Sequence, residues 1–450
     1  MTHYGKDHQG CREYQRLSRR KFMGMSTTAA VAAGLPAWFP KISMASDNSG
    51  LAVPCPPCPI INVFGRGGWD GLSICIPYAD PEYYNIRPMN QTLAYDPPGS
   101  GTNRTCSDLD GYFGWPQIME RWLGIPWQDN RLAFVHAMGY TTNHSYSHFV
   151  GQHQLEVGQP SPPPTLRTGW LGRHLESRGT PLSCQTDPIL RGLALDIAKH
   201  RVMVGGVDCI ATPDPANYDL TGPVPSIADR LQVLLDFYTA EGTYTEVAEQ
   251  TVATIAELQK VDFDSYQSTI RAFQYPQTPI GQSMRAIAAI LNNPVKLNVE
   301  AFTVDFGGWD HHSQEDPHNL FFNGRMYTRM RDLSEALGVF YMDMRTRFNL
   351  NWILNAMTEF GRTAMENASN GTDHAKGNCM FLMGGRVKGG VYGNWPGLDN
   401  LTGGGDDIPI TTDVRLVFAE VIDKCLGNAT NFPYIFPNYT VNPNDYLGFL

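Results

Sequence analysis

The stretch Thr358 to His374, TEFGRTAMENASNGTDH, follows the apolar run Trp352, Ile353, Leu354, Ala356 and Met357, and its reading decides the fold. A short β-prone run ending in a carboxylate, a glycine and an arginine is how an α/β sheet presents chemistry: the strand is buried and its carboxyl end opens into a ligand crevice. Glu359 and Arg362 then sit at the lip. The loop rich in Asn, Ser and Gly that follows returns to Gly371, Thr372, Asp373 and His374, setting a carboxylate beside an imidazole. Such a pair is half of a metal site, although in a single loop it is more often a turn residue with a solvated neighbour. Repetition upstream argues for the metal. Val304 to Gln314, VDFGGWDHHSQ, also follows an apolar run and carries Asp310 with His311 and His312, so two strand ends bearing Asp and His can converge on one crevice.

Working outward, Ile60 to Phe64 is a β-like run leading into Gly65, Arg66, Gly67, Gly68, Trp69 and Asp70. Glycines there permit a tight turn and a close approach of backbone to ligand. Asp70, the single carboxylate of the turn, is a candidate metal ligand or the cap of the next element. Tyr78 to Gly114 is turn-rich and reads as a long surface excursion. Leu132 to Ala137 is a buried-strand candidate running into YTTNHSYSHF, Tyr140 to Phe149, and a helix through Glu156. A hydroxyl at a strand-to-helix turn lies where backbone N–H groups stabilise an attacking oxygen or a bound anion, so Ser147 is the candidate nucleophile; a simple N-cap is the competing reading. His148 beside it is a further candidate.

The remaining pattern is alternating. Thr168 to Ser177 is helix-like and Gly192 to Ile197 strand-like. Ser226 to Asn293 carries helical periodicity in Ile227, Leu231, Leu234, Leu235 and Phe237, then in Met284, Ile287, Ile290 and Leu291, which predicts core-facing helices. Leu297 to Val304 is a strand, Phe321 to Arg347 a long helix, Cys379 to Met383 a strand and Asp413 to Leu426 a final helix, with the Gly-rich GGRVKGGVYGNWPGL between the last two. Strands alternating with helices predict an α/β fold, a three-layer α/β/α sandwich around a mostly parallel sheet.

The amino terminus is a separate object. Ser18, Arg19, Arg20, Lys21, Phe22 and Met23 form a twin-arginine signature, followed by a weakly apolar run to Pro40 and by Ser43, Met44 and Ala45, a small-x-small cleavage signal. The run is broken by Gly24, Gly34 and Pro36 and is too short to span a bilayer. The expected organisation is a leader over 1–45, a Pro- and Cys-rich linker over 46–59, and one domain with insertions over 60–450. The leader carries seven basic and two acidic residues, so the remaining chain holds a net charge of −15 against −10 for the whole. That acidity argues against nucleic acid as a partner, since phosphate backbones demand a basic footprint. With 42% hydrophobic and 17% charged residues, the 450-residue chain is globular. Eight of its nine cysteines follow the leader, a count that permits disulfides in an exported protein; Cys55 and Cys58, in PCPPCP, read as a stapled linker rather than a redox motif.

Taken together, FGRGGWDGL, YSHF, GGWDHHSQ, TEFGRT, NGTDH and GGRVKGGVYG, in this order, resemble the domain of unknown function 1501 family, a branch of the alkaline-phosphatase-like (sulfatase-like) superfamily commonly exported with twin-arginine leaders. The resemblance runs from about Ile60 onward. It implies an alkaline-phosphatase-like sandwich and a dinuclear, metal-dependent hydrolase of phosphate or sulfate esters, acting on a small-molecule or polymer ester in the periplasm or at the cell surface, with no membrane anchor once the leader is removed. By the same resemblance Asp70 is a metal ligand, Ser147 the nucleophile, Asp310 and His312 the pair on one ion, and Asp373 with His374 the closing ligands. Glu359 is a further metal-ligand candidate, although Glu359-Phe360 stands where the superfamily has Asp-His, and His311 stands where the family more often has Thr, so either imidazole of the His311-His312 pair is a candidate. Zinc, manganese, calcium and iron are all compatible ions, and Arg66 or Arg362 can neutralise ester oxygens. The alternative is a non-catalytic exported binding or envelope-assembly protein on the same fold, with a protein partner.

Overall fold

In chain order the strands are β1 (Ile60–Phe64), β2 (Cys106–Asp108), β3 (Gly114–Pro116), β4 (Leu132–Gly139), β5 (Gly192–Ala194), β6 (Cys209–Ala211), β7 (Ala301–Asp305), β8 (Ile353–Met357), β9 (Gly361–Arg362), β10 (His374–Ala375), β11 (Asn378–Gly384), β12 (Gly390–Tyr392) and β13 (Thr412–Asp413). The structure, a computed structural model, describes residues 58–161, 164–178, 189–206, 208–220, 226–241, 245–293, 297, 299–318, 324–347 and 351–450. The leader with Arg19 and Arg20, its cleavage site and Cys55 lie outside the described residues.

β1 is flanked by β7 and β8, both parallel to it, with Val63 level with Val304 and Ala356. The main sheet runs β12-β4-β11-β8-β1-β7-β5-β6, with β13 also on β4. β11 alone among these runs against its neighbours β4 and β8. All five residues of β1 and of β8 are buried, as strands covered on both faces require.

Alternation along the strands divides the core. Ile61 and Val63 of β1, Leu354 and Ala356 of β8, and Phe302 and Val304 of β7 pack with Met284 and Ile287 of helix Pro279–Asn292 and Leu333, Leu337 and Phe340 of helix Arg325–Arg347. Ile60, Phe64, Ile353 and Met357 face the other way, toward Trp170 and Leu171 of helix Trp170–Arg178 and Val417 and Phe418 of helix Val414–Val421. These are the three layers expected. Helix Pro279–Asn292 starts where chemistry directs it: Thr278 accepts from the Gly281 amide, and Pro279 occupies the first turn, where its missing N–H costs nothing.

One expectation fails. Helix Ile227–Glu241 has the right periodicity, but Leu231, Leu234 and Leu235 are only partly buried and Phe237 is 61% exposed. Its main neighbour is helix Thr245–Leu258, which itself rests on the core through Leu258. Periodicity reports an apolar stripe, not what covers it.

Candidate metal centre

The carboxyl end of β8 feeds the site directly. Thr358 accepts from the Gly68 amide at 3.0 Å, tying the turn after β1 to the end of β8. Gly67 in that turn has φ +126°, and a Cβ there would lie 2.6 Å from the Asp310 amide nitrogen. Only glycine lets the two loops meet so closely. Arg362, at the end of β9, is buried and serves as a clasp: Nε donates to Gly68 O at 2.6 Å, Nη1 to Thr372 O at 3.0 Å, and Nη2 to Gly67 O and to Asp310 Oδ1, the last at 2.6 Å. β9 pairs antiparallel with β10, which sets His374 opposite Arg362.

Three imidazoles converge on the same carboxylate oxygen. Asp310 Oδ1 lies 2.9 Å from His312 Nε2, 3.3 Å from His374 Nε2 and 3.4 Å from His148 Nε2. His312 Nε2 and His374 Nε2 are 3.0 Å apart, closer than two lone pairs tolerate without a proton or a cation between them. Each ring is held from behind through Nδ1: His148 by Glu359 Oε1 at 2.6 Å, His312 by Asp373 Oδ1 at 2.7 Å, and His374 by the Tyr146 carbonyl at 2.7 Å. When each Nδ1–H donates to its oxygen, all three Nε2 lone pairs face the centre. This is how proteins orient imidazole ligands to a metal. Three nitrogens and one oxygen suit a first-row divalent ion such as zinc, and the donor set therefore fits a metal.

Burial and charge are tuned in opposite directions. Burial lowers His374 to about 4, partly offset by Asp310. Burial also opposes charge on His148, but its bonds to Asp310 and Glu359 outweigh that and raise it. Burial acts against the charge of Glu359, yet His148 and Gln152 bring it down to about 2. Asp310 lies well below the usual carboxylate range: burial is outweighed by the three imidazoles and Arg362. His148 and His374 are buried, while Asp373 is exposed, so solvent reaches the centre from the His312 and Asp373 side.

Other expected residues lie elsewhere. Asp70 caps helix Gly71–Ile74 and forms a buried two-point ion pair with Arg87, Oδ2 at 2.6 Å and Oδ1 at 3.0 Å, while Ser73 donates to Oδ2 at 2.5 Å. The structure does not bring Asp70 to the centre. Glu359 and Asp373 are not aimed at it either; each grips a histidine from behind. A dinuclear arrangement built on Asp70 and Glu359 thus lacks its second ligand set. His311 is buried next to Trp309, with burial pushing it down to about 3, and His312 is the imidazole that reaches Asp310. Ser147 is the N-cap of helix His148–Val157, without a side-chain capping bond, and directly precedes the ligand-type residue His148. Arg66 is held by Asp305, with Nε at 2.5 Å from Oδ2, and by Glu156, with Nη2 at 2.9 Å from Oε1. Neither arginine presents a free guanidinium to an ester.

Sequence reasoning missed Tyr146, which contributes through its carbonyl, and Gln152, whose amide donates to Glu359 Oε1 at 2.9 Å. A backbone carbonyl leaves no residue-type signal. Gln152 did leave one, since it lies four positions after His148 on the same helix face.

No curated protein matches the chain in sequence. Among solved structures, Ps i-CgsB in complex with k-i-k-neocarrahexaose aligns at 10% identity and TM-score 0.32, over 87% of this chain and 74% of that one. The C-terminal periplasmic domain of EcEptC from Escherichia coli, in complex with Zn, aligns at 10% identity and TM-score 0.32, over 92% of this chain and 100% of that one. Both likenesses are too slight to carry an argument. No described helix is long and apolar enough to cross a membrane. Residues 274–402, which contain Asp310, His312 and His374 but not His148, match the family model described as protein of unknown function (DUF1501).

Proposed function

We propose that this chain is an exported, metal-dependent hydrolase of phosphate or sulfate esters, of the alkaline-phosphatase-like kind, with one divalent ion held by His148, Asp310, His312 and His374. The observation that carries the reading is the convergence of three Nδ1-anchored imidazoles on Asp310 Oδ1. Such an ion, when bound, polarises an ester oxygen and lowers the pKa of a hydroxyl near it. The protein's own part is positional. Glu359, Asp373 and the Tyr146 carbonyl fix the imidazoles, and Arg362 keeps the Asp310 loop against the Gly67 turn. Ser147 is the nucleophile of this reading, and the first N–H groups of helix His148–Val157 receive developing negative charge. Anion neutralisation falls to that helix start, because Arg66 and Arg362 are already paired.

The test is elemental analysis and an ester panel on chain purified without chelators or affinity metals. Wild type should carry bound metal and hydrolyse a phosphate or sulfate monoester. Asp310→Ala with His312→Ala should lose the ion of this centre together with the hydrolysis, and Ser147→Ala should keep that ion while turnover falls on the order of 10³-fold or more. Activity surviving in the Asp310 and His312 variant would end the reading.

A second reading, a non-catalytic exported binding or envelope-assembly protein, draws support from the engagement of Asp70 with Arg87 and of Glu359 with His148, which leaves a single-ion centre. It predicts metal without turnover, and a stable partner captured from native envelope.

A further inference from the structure

A second donor set sits on the same edge of the sheet, outside the centre just described. β8, β1, β7 and β5 lie side by side, and at or just past their carboxyl ends come Glu359, Arg66, Asp305 and Asp196 in that lateral order. Arg66 stands between two groups. Nη1 donates to Gln152 Oε1 at 3.2 Å on the side of Glu359, and Nε and Nη2 grip Asp305 at 2.5 and 3.1 Å on the other. Beyond Asp305 is His200, whose Nε2 lies 3.2 Å from Asp196 Oδ2 and 3.5 Å from Asp305 Oδ2. His200 is 7% exposed, and its Nδ1 rests 2.8 Å from the hydroxyl of Thr303, a residue of the strand that ends in Asp305. One donor atom from each of Asp196, His200 and Asp305 falls within 4.8 Å of the others.

We infer that Asp196, His200 and Asp305 hold a divalent first-row metal ion of their own, separate from the ion of the four-residue centre. Two carboxylates and one imidazole form the mixed donor set that zinc and manganese accept. Charge supports this: Asp305 and Glu156 share the one Arg66 guanidinium while Asp196 meets Asp305 at His200, so a divalent cation completes the neutralisation that Arg66 begins. The Thr303 hydroxyl behind His200 fixes the ring as Glu359 fixes His148, leaving Nε2 toward the carboxylates. Asp196 is the most exposed of the three, at 40% of its side chain, and gives water access to the remaining coordination positions. Arg66, Gln152 and Glu359 stand between this ion and His148, so it ties β5 to β7 rather than sharing an ester oxygen with the other ion.

A proton on His200 would satisfy the same two carboxylates, and occupancy decides between them without reference to turnover. The full chain, stripped with chelator and reloaded with Zn2+ or with Mn2+, should retain two ions per chain after gel filtration. Asp196→Asn with His200→Gln should fall to one ion, and Asp310→Asn with His374→Gln should lose the other. A wild type that holds one ion, with no change in the Asp196 and His200 variant, would overturn the second site while leaving the first. A wild type that holds none overturns both. Should the double variant fail to fold, Asp196→Asn alone, at a half-exposed side chain, reads the same stoichiometry, and loss of the second ion is again the expected result.

Discussion

Glu359 shows how a residue type points to a site before its role is known. Both its oxygens are occupied: Oε1 receives the Gly67 amide, His148 and Gln152, and Oε2 receives Thr358. Its work is to hold an imidazole. Glu359→Gln should therefore leave the fold in place while weakening metal binding by about 10–100-fold, as read by chelator competition. The same residue sets a pH dependence. Glu359 has an ordinary value of 4.5 and about 2 in the folded chain, so the stability it contributes is complete above 4.5 and is lost as pH falls toward 2. His374, buried and lowered from 6.5 to about 4, adds a loss beginning as pH drops through 6.5, because the unfolded chain takes up the proton first. Thermal melts of the metal-free protein should show Tm falling below pH 6.5, with a shallower fall below pH 4.5 in Glu359→Gln. Gly67→Ala adds a Cβ 2.6 Å from the Asp310 amide at φ +126° and should cost about 1–3 kcal/mol in urea unfolding, with loss of bound metal. The carboxylates and imidazoles of this centre were legible because few residue types can do their chemistry. Which carboxylate faces the ion and which faces a histidine was not, since His148 and Glu359 meet across 211 positions of chain.

Among the elements, the buried strands were the easiest to read and the insertion helices the hardest. β1 and β8 are mostly apolar runs that match their expected positions closely, and β7 begins at Ala301 rather than at Leu297, whereas the orientation of β11 depends on a connection whose length alone does not fix direction. β1 and β8 also carry an internal polar contact. Asn355 Nδ2 donates to Asn62 Oδ1 at 2.7 Å, across a pair that the register places level. Asn355→Leu strands the Asn62 carbonyl in the core and should destabilise by about 1–3 kcal/mol, while adding Asn62→Val removes the orphaned group and should recover much of that loss. Denaturant midpoints of the two variants check the asymmetry. Helix Ile227–Glu241 makes the opposite case: Phe237→Ser, at a side chain 61% exposed, should change stability by less than about 0.5 kcal/mol although the periodicity marks it as core.

At the scale of the molecule, the expected export rests on Arg19 and Arg20, which precede β1 in the sequence. Replacing Arg19 and Arg20 with lysine should hold the chain in the cytoplasm, and fractionation with an antibody against the folded domain checks this. The three-layer arrangement was legible because alternation between strands and helices constrains topology more tightly than any single boundary. The main sheet also has a property that matters once the chain is concentrated. Its outermost strands are brief: β6 at one margin has three residues, and β12 and β13, both laid on β4 at the other, have three and two. The longer strands β1, β7, β8 and β11 lie inside the sheet, each paired on both sides. A neighbouring molecule approaching either margin finds too few open amide and carbonyl groups to add a strand of its own, so this large, apolar sheet is terminated against templated growth into fibrils.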